Sequence, residues 1–458
     1  MGKELKANGR SSVTKGRARA LIKANGSDIV TEDGAALAFA DLHVRDLRYD
    51  HNAGCWFGWD GSLWRRDETQ VAKWWARELA RRLAETQPAG LRYVTNKMAF
   101  ANAVERGAAC DQRLAVTQAV WDTDAYLLGT PEGTVDLRTG VRRNSERDDM
   151  ITRATAVAPQ KMPIPRWNRF LREATREDED LIRFLQVVCG YALTGETSED
   201  LLIFVYGPGG NGKGTFLYTV GGIFGDYATA AAMDTFTASH HERHPVDMAL
   251  LKGARLVTVA EVTQGKTWDE TRVKQFTGGD PITARFMRQN FFTYMPEFQL
   301  IITGNHQPRL INIGDAMRRR LAMVPFMFAP KVKDVELKQK LRVEWSGILW
   351  WMIQGCLWWQ RHKGIKRPDV VRELTDEYFR EQDLLGQWVE ERVERTRKQS
   401  DRVLRSDAFR SWQRFAEAAA EDPMNEKWFC SSMRERGFAE KRTENGRFFT
   451  HTRLIGRK

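Results

Sequence analysis

Leu201-Leu202-Ile203-Phe204-Val205-Tyr206 runs straight into Gly207-Pro208-Gly209-Gly210-Asn211-Gly212-Lys213-Gly214-Thr215, and a helical pattern opens at Phe216. An apolar run that ends in a glycine cluster reads as a buried strand, and strand, turn and helix in that order form the context a Walker A phosphate loop requires. Glycines let successive backbone N–H groups converge on phosphate oxygens. The following helix presents its positive end, and Lys213 adds a full charge. The spacing from Gly207 to Gly212-Lys213 matches the motif. One position departs from it. A Ser or Thr that holds Mg2+ should follow the lysine, and Gly214 stands there. Thr215 is the next hydroxyl and takes the metal role in this reading. The expected phosphate-binding set is Gly207, Pro208, Gly209, Gly210, Asn211, Gly212, Lys213, Gly214 and Thr215, with ATP and Mg2+ as cofactors.

Downstream, Arg255-Leu256-Val257-Thr258-Val259-Ala260-Glu261 is a β-branched run ending in an acid. Such an acid beside a phosphate loop holds Mg2+ or polarises the attacking water, so Glu261 is assigned to both metal and catalysis. Many NTPases carry two acids here; this run has one. A third strand, Phe298 to Gly304, ends at Asn305. An amide there can orient water against the γ-phosphate. Asn at a strand end is more often a turn former, but its order after two nucleotide motifs favours the catalytic role. Asp315-Ala316-Met317-Arg318-Arg319-Arg320-Leu321 then sets three arginines before an apolar stretch. They read either as a solvated face or as a guanidinium offered to a neighbouring subunit's site. Arg319 and Arg320 are both candidates, and the sequence does not choose between them.

The chain has 458 residues, 29% of them charged and 42% hydrophobic, which excludes a mainly disordered protein. At roughly 100–200 residues per domain, about three domains are expected. Lys plus Arg is 71 and Asp plus Glu is 60, a net +11 that leans modestly toward a polyanionic partner. The first 25 residues are polar and basic with no apolar stretch, so no secretory signal is expected. The longest apolar segment, Ile348 to Trp359, is shorter than a membrane span and reads as a buried helix. Five scattered cysteines fit a reducing cytoplasm better than a disulfide framework. His240-His241-Glu242-Arg243-His244 is one residue short of a zincin motif and reads as a loop.

Texture along the chain divides it into a basic tail over 1–30 and a mixed α/β accessory domain over 31–160. A helical lead-in with an α/β core follows over 161–345, then a helical segment over 346–390 and a terminal unit over 391–458. Asp60-Gly61-Ser62 predicts a hairpin turn between Cys55–Trp59 and Leu63–Arg66. Trp56, Trp59 and Trp64 are read as cross-strand packing rather than base stacking. The order helix, helix, hairpin near Asn445-Gly446 outlines a winged helix.

These elements in this order resemble a superfamily 3 helicase of phage and plasmid type, similar to the C-terminal part of satellite-phage and poxvirus primase-helicases. The resemblance rests on Gly207 to Thr215; on Leu251 to Val257 leading to Glu261; and on Lys274-Gln275-Phe276-Thr277-Gly278-Gly279-Asp280 with Arg285. It also rests on Asn305-His306-Gln307-Pro308 and on Arg319-Arg320 with Pro325-Phe326. Upstream, Thr130 to Leu137 and Asp148 to Arg153 look like the domain that precedes the ATPase in this family. The family implies an AAA+-like P-loop ATPase core and a homohexameric ring with ATP between subunits. It also implies single-stranded DNA in the pore, 3′ to 5′ translocation, and replication of a phage, plasmid or integrated element in a bacterial cytoplasm, with no membrane partner. In that picture Ile282–Met287 and Phe291–Met295 form a hairpin, and Lys274, Arg285 and Arg288 are the DNA-binding candidates. Phosphate contacts bind without reading sequence, as a motor requires. The 401–458 segment holds 13 basic and 9 acidic residues, and Arg434, Arg436, Lys441, Arg442, Arg447 and Arg453 could grip duplex DNA.

Two other functions compete. A complete primase-helicase would need a convincing carboxylate pair before residue 160, and only Asp122-Thr123-Asp124 offers one, so a separate primase is the compatible partner. An ATP-binding scaffold or initiator that assembles on DNA without unwinding it would fit Gly214 and the single acid.

Overall fold

The computed structural model describes residues 30–238, 245–260, 265–287, 290–310, 314–330, 334–398, 400–444 and 446–455. The basic tail up to residue 29 and the His240–His244 stretch lie outside them. Thr31 accepts from the Gly34 N–H at 3.0 Å and starts α1 (Glu32–His43). β1 (Leu47–Asp50) pairs antiparallel with β2 (Cys55–Trp59), and β2 with β3 (Trp64–Arg66). In the β2–β3 turn Asp60 Oδ1 accepts from the N–H groups of Ser62 and Leu63, each at 2.8 Å. Trp59 and Trp64 lie directly opposite, with ring centroids 5.6 Å apart and edge to face, so these two indoles pack across the strands. Helices α2 (Val71–Ala84), α3 (Ala89–Thr95) and α4 (Met98–Ala109) follow, and β4 (Ala115–Val116) returns parallel to β1. Phe39, Trp56, Leu79, Phe100 and Val104 give this region a core of its own.

β5 (Leu127–Thr130), β6 (Gly133–Asp136) and β7 (Val141–Arg143) form an antiparallel meander. Texture groups it with residues 31–160. Its packing does not: Leu128, Val135 and Leu137 join the larger core that begins with α5 (Pro165–Thr175) and α6 (Glu179–Ala192).

Next come β8 (Leu202–Tyr206), α7 (Lys213–Phe224), β9 (Ala228–Ala230), α8 (Pro245–Ala249), β10 (Leu256–Ala260) and α9 (Glu270–Thr277). A small hairpin of β11 (Ile282–Ala284) and β12 (Phe292–Tyr294) precedes β13 (Gln299–Gly304), α10 (Asp315–Arg320) and β14 (Leu321–Pro325). The main sheet has the order β14-β8-β13-β10-β9, with every pairing parallel. Alternation along β8 divides the interior. Ile203 and Val205 face one core with Phe216, Val220 and Ile301; Leu202 and Phe204 face the other with Trp268, Phe276 and Ile302. A sheet buried on both faces needs the uninterrupted apolar runs seen in β8 and β13.

α11 (Leu337–Arg342), α12 (Trp345–His362) and α13 (Asp369–Gln382) close over the sheet. α12 packs on α6 with the backbones in contact. A Cβ on Gly190 would stand 2.2 Å from the Cys356 nitrogen, and one on Gly355 would stand 2.1 Å from the Gln186 carbonyl oxygen. The apolar segment around residue 350 is thus a core helix, and no helix among the described residues is long and apolar enough to cross a membrane.

The C-terminal unit contains α14 (Leu384–Arg392), β15 (Val393–Arg395), β16 (Arg402–Leu404), α15 (Arg405–Ala418) and α16 (Glu426–Glu435), followed by β17 (Glu440–Thr443), β18 (Gly446–Thr450) and β19 (Thr452–Leu454). The predicted helix, helix, hairpin order is present. Two pairings were not foreseen: β16 adds to the hairpin beside β18, and β15 pairs with β19. Trp388, Trp412, Phe429 and Phe449 fill its core.

Candidate nucleotide site

The glycine-rich loop leaves the carboxyl end of β8 and re-enters structure at α7. Gly207 has φ +152, and a Cβ there would lie 2.0 Å from the Phe326 carbonyl oxygen and 2.3 Å from Asn211 Nδ2. Gly212 caps α7 at φ +89, and a Cβ on it would strike the Phe170 ring at 2.8 Å. Both positions exclude a side chain by space as well as by conformation.

Lys213 folds back over this loop. Its Nζ donates to Gly207 O at 2.6 Å, Pro208 O at 3.0 Å and Asn211 Oδ1 at 2.9 Å. The side chain is buried, and loss of hydration pushes its pKa below the ordinary lysine value. Lys213 and the α7 N–H groups together make a positive pocket floor.

A cleft of about 690 Å³ opens over that floor, at the carboxyl ends of β8, β13 and β10. Gly209 to Thr215 line it, and so do Thr303 and Gly304 from β13, Asn305 just after it, and Ala260 from β10. The parallel register sets Ala260 beside Thr303, and Thr303 beside Val205. Ligands of open α/β sheets occupy such crevices. Glu261 directly follows Ala260 but lies outside the described residues. At Gly214 a Cβ would meet no atom within 4 Å, so space does not account for the missing hydroxyl.

Not every candidate reaches the cleft. Arg320 is buried and held in its own chain: Nε donates to Thr277 Oγ1 at 3.1 Å, Nη1 to Ala316 O at 3.1 Å and Nη2 to Asp200 Oδ2 at 3.2 Å. Arg319, one residue earlier, is exposed. Lys274 is 3.8 Å from Glu270 Oε2 on its own helix. Arg285 follows β11 with its guanidinium 4.8 Å from the Phe291 ring centre. Arg288 lies outside the described residues. None of Lys274, Arg285, Arg319 and Arg320 lines the cleft.

The far side of the cleft carries no motif and was not predicted. Phe170, Glu173 and Ala174 of α5 form one flank; Phe328, Pro330, Asp334, Val335, Leu337 and Lys338 form another. The acids there are engaged, Glu173 with Arg169 at 2.7 Å and Asp334 with Lys340 at 2.9 Å. Trp167, Phe170 and Leu171 recur at helical spacing in the sequence, the one hint of this wall. The segment after β14 has no periodicity to read.

Residues 36–176 match the family described as D5 N terminal like, and residues 205–320 match a family of unknown function, DUF5906. The chain is 25% identical over 309 residues to a protein named "Putative helicase L207/L206" of Acanthamoeba polyphaga mimivirus, a match covering 60% of this chain and 32% of that protein. It is 26% identical over 261 residues to "Putative helicase 022R" of Frog virus 3, covering 51% of this chain and 26% of that one. The chain therefore spans about a third or less of these relatives. Among solved structures, the apo C-terminal region of NrS-1 aligns over 88% of this chain and 95% of that one, at 10% identity and a TM-score of 0.48. The chain thus carries a D5 N terminal like region ahead of a parallel α/β core, and it is similar to helicase-named proteins of viruses.

Proposed function

We propose that this chain is an ATP-driven motor on single-stranded DNA, the superfamily 3 type helicase of a phage, plasmid or integrated element. The observation that carries the reading is one cleft, at the carboxyl ends of adjacent parallel strands, lined by the glycine-rich loop, Lys213 and Asn305. The residues fit a nucleoside triphosphate with Mg2+: the loop excludes side chains where it is tight, and among the described residues its buried ammonium donates to loop oxygens alone.

In this reading Lys213 exchanges those loop oxygens for phosphate oxygens when ATP enters, and the start of α7 adds N–H donors. The Thr215 hydroxyl and the Glu261 carboxylate would hold Mg2+, which neutralises charge developing on the phosphates. Asn305 orients the attacking water, and Glu261 polarises it. Arg319, which is exposed, serves a neighbouring subunit of a ring, a homohexamer in this family, whereas Arg320 is committed within its own chain. The β11–β12 hairpin presents Arg285 with exposed Met287, Phe291 and Met295, a cation beside apolar groups suited to a single strand. Lys274 shapes the helix behind it. The basic residues of the C-terminal unit contact duplex DNA, and a separate primase acts as partner in a bacterial cytoplasm.

A second reading, an assembly scaffold that binds ATP without turnover, is favoured by Gly214 and the single acid after β10. Steady-state ATP hydrolysis with and without single-stranded DNA separates the two, run beside Lys213→Ala and Glu261→Gln. DNA-stimulated turnover lost in both variants supports the motor. Binding without turnover under every DNA condition sinks it and leaves the scaffold.

A further inference from the structure

Asn211 lies inside the glycine-rich loop, yet its side chain is spent on the protein. It is 3% exposed, and both ends of its amide are in use. Oδ1 accepts from Lys213 Nζ at 2.9 Å, and Nδ2 donates to the carbonyl oxygen of Phe326. These partners fix the amide's orientation, since an ammonium only donates and a carbonyl only accepts. A carboxamide of this length is the side chain that can do both. Aspartate lacks the donor, and serine lacks the reach.

Phe326 directly follows β14. Its N–H donates to Tyr206 O at 2.7 Å, the residue just before the loop, and its ring is fully buried against Phe216 of α7. Beyond it the chain becomes the far wall of the cleft, with Phe328, Pro330, Asp334, Val335, Leu337 and Lys338. The amide thus joins the group expected to hold phosphate to the root of the wall expected to cover the rest of the nucleotide.

We propose that Asn211 is a positioning residue that couples the phosphate floor to this wall, so that filling the phosphate site alone slows exchange at its residues 327–330 and 334–338. The inference rests on the nucleotide reading of the cleft. When polyphosphate oxygens take the Lys213 protons, the Asn211 oxygen is released from the ammonium while its nitrogen stays on Phe326. The loop and the wall therefore change together.

The test uses inorganic triphosphate, which carries the phosphates and no base or ribose and so has nothing with which to touch the wall. Hydrogen exchange is followed on the full chain with Mg2+, with and without triphosphate. In the wild type, exchange slows at 207–215 and also at 327–330 and 334–338. In Asn211→Ala, triphosphate at a saturating concentration slows the loop only. ATP turnover supplies the second readout. Loss of one hydrogen bond to a charged group raises the KM of Asn211→Ala about tenfold or more, with a smaller change in kcat. Asn211→Asp keeps the acceptor and loses the donor, so it protects the loop and not the wall. Loop protection in the wild type with no change at the wall overturns the coupling, as does equal wall protection in Asn211→Ala. If Asn211→Ala fails to fold, the wild-type arm and Asn211→Asp decide. If neither triphosphate nor ATP alters exchange at 207–215, the nucleotide reading itself has failed, and the coupling falls with it.

Discussion

The guanidinium of Arg320 reaches the carboxylate of Asp200 at 3.2 Å, with the arginine side chain only 9% exposed. Asp200 precedes β8 and Arg320 precedes β14, and these strands pair from Leu202 and Leu321 onward. The ion pair therefore clamps two neighbouring strands at their entry. Removing it strands a partly buried carboxylate, so Arg320→Ala should lose about 2 kcal/mol of stability. Arg319→Ala should leave the urea midpoint unchanged and abolish the turnover of the proposed ring. Equal loss of stability in both variants would contradict the division of roles.

Burial makes the Lys213 ammonium harder to keep charged than that of an ordinary lysine. Its proton is lost at a lower pH in the empty fold than in an unfolded chain. Between those two pKa values the unfolded chain holds more protons, so this group's contribution to stability rises with pH there. Triphosphate affinity depends on the charged form and should fall over the same alkaline window. Titration with a fluorescent ATP analogue between about pH 7 and pH 10 should show the decline in the wild type. In Lys213→Arg, whose guanidinium stays charged, the pH profile should be flat.

At Gly214 nothing obstructs a side chain. Gly214→Ser should fold as well as the wild type, and its better helix propensity should add about 0.5 kcal/mol in the first turn of α7. A hydroxyl at this position should lower the Mg2+ concentration that half-saturates ATP hydrolysis. An unchanged Mg2+ requirement would mean that Thr215 already fills the coordination position.

Arg285 packs its guanidinium over Phe291 on an exposed hairpin. Arg285→Ala should weaken single-stranded DNA binding and lower the slope of log affinity against log salt by about 0.7, the share of one phosphate contact. Phe291→Ala should weaken binding without changing that slope, because stacking releases no counterion. Fluorescence anisotropy at several salt concentrations distinguishes the two.

The crossing of α6 on α12 has no room for a methyl group. Gly190→Ala sets a carbon 2.2 Å from the Cys356 nitrogen, and backbone cannot rotate away as a side chain would. The helices must separate, at about 3 kcal/mol, read as a lower denaturation midpoint with an unchanged m-value.

The parts of this fold that could be read in advance are those whose partners are close in sequence. Strands β8, β10 and β13, the Asp60 turn and α7 follow from runs of a few residues and the glycines that end them. The order of strands could not be read that way, because β14 is last of the five in the chain and yet lies beside the first. The two adjacent arginines show the same limit. What separates Arg319 from Arg320 is Thr277, 43 residues away, and Asp200, 120 residues away. In the cleft, Gly209 to Thr215 and Asn305 stand out by motif. Phe328 and Val335 do not, since an apolar residue in an irregular segment carries no sign of what it will face.

The position of β14 has a practical consequence for dissecting the chain. The stretch matching DUF5906 stops at residue 320, one residue before this strand begins. A fragment cut at that point would leave β8 as a bare edge, ready to pair with another molecule. It would also lose the Phe326 carbonyl that holds Asn211. Expression boundaries drawn from the matching region alone should therefore give aggregating material. A piece carried through residue 382 keeps the strand that shields the loop and the helices that cover it.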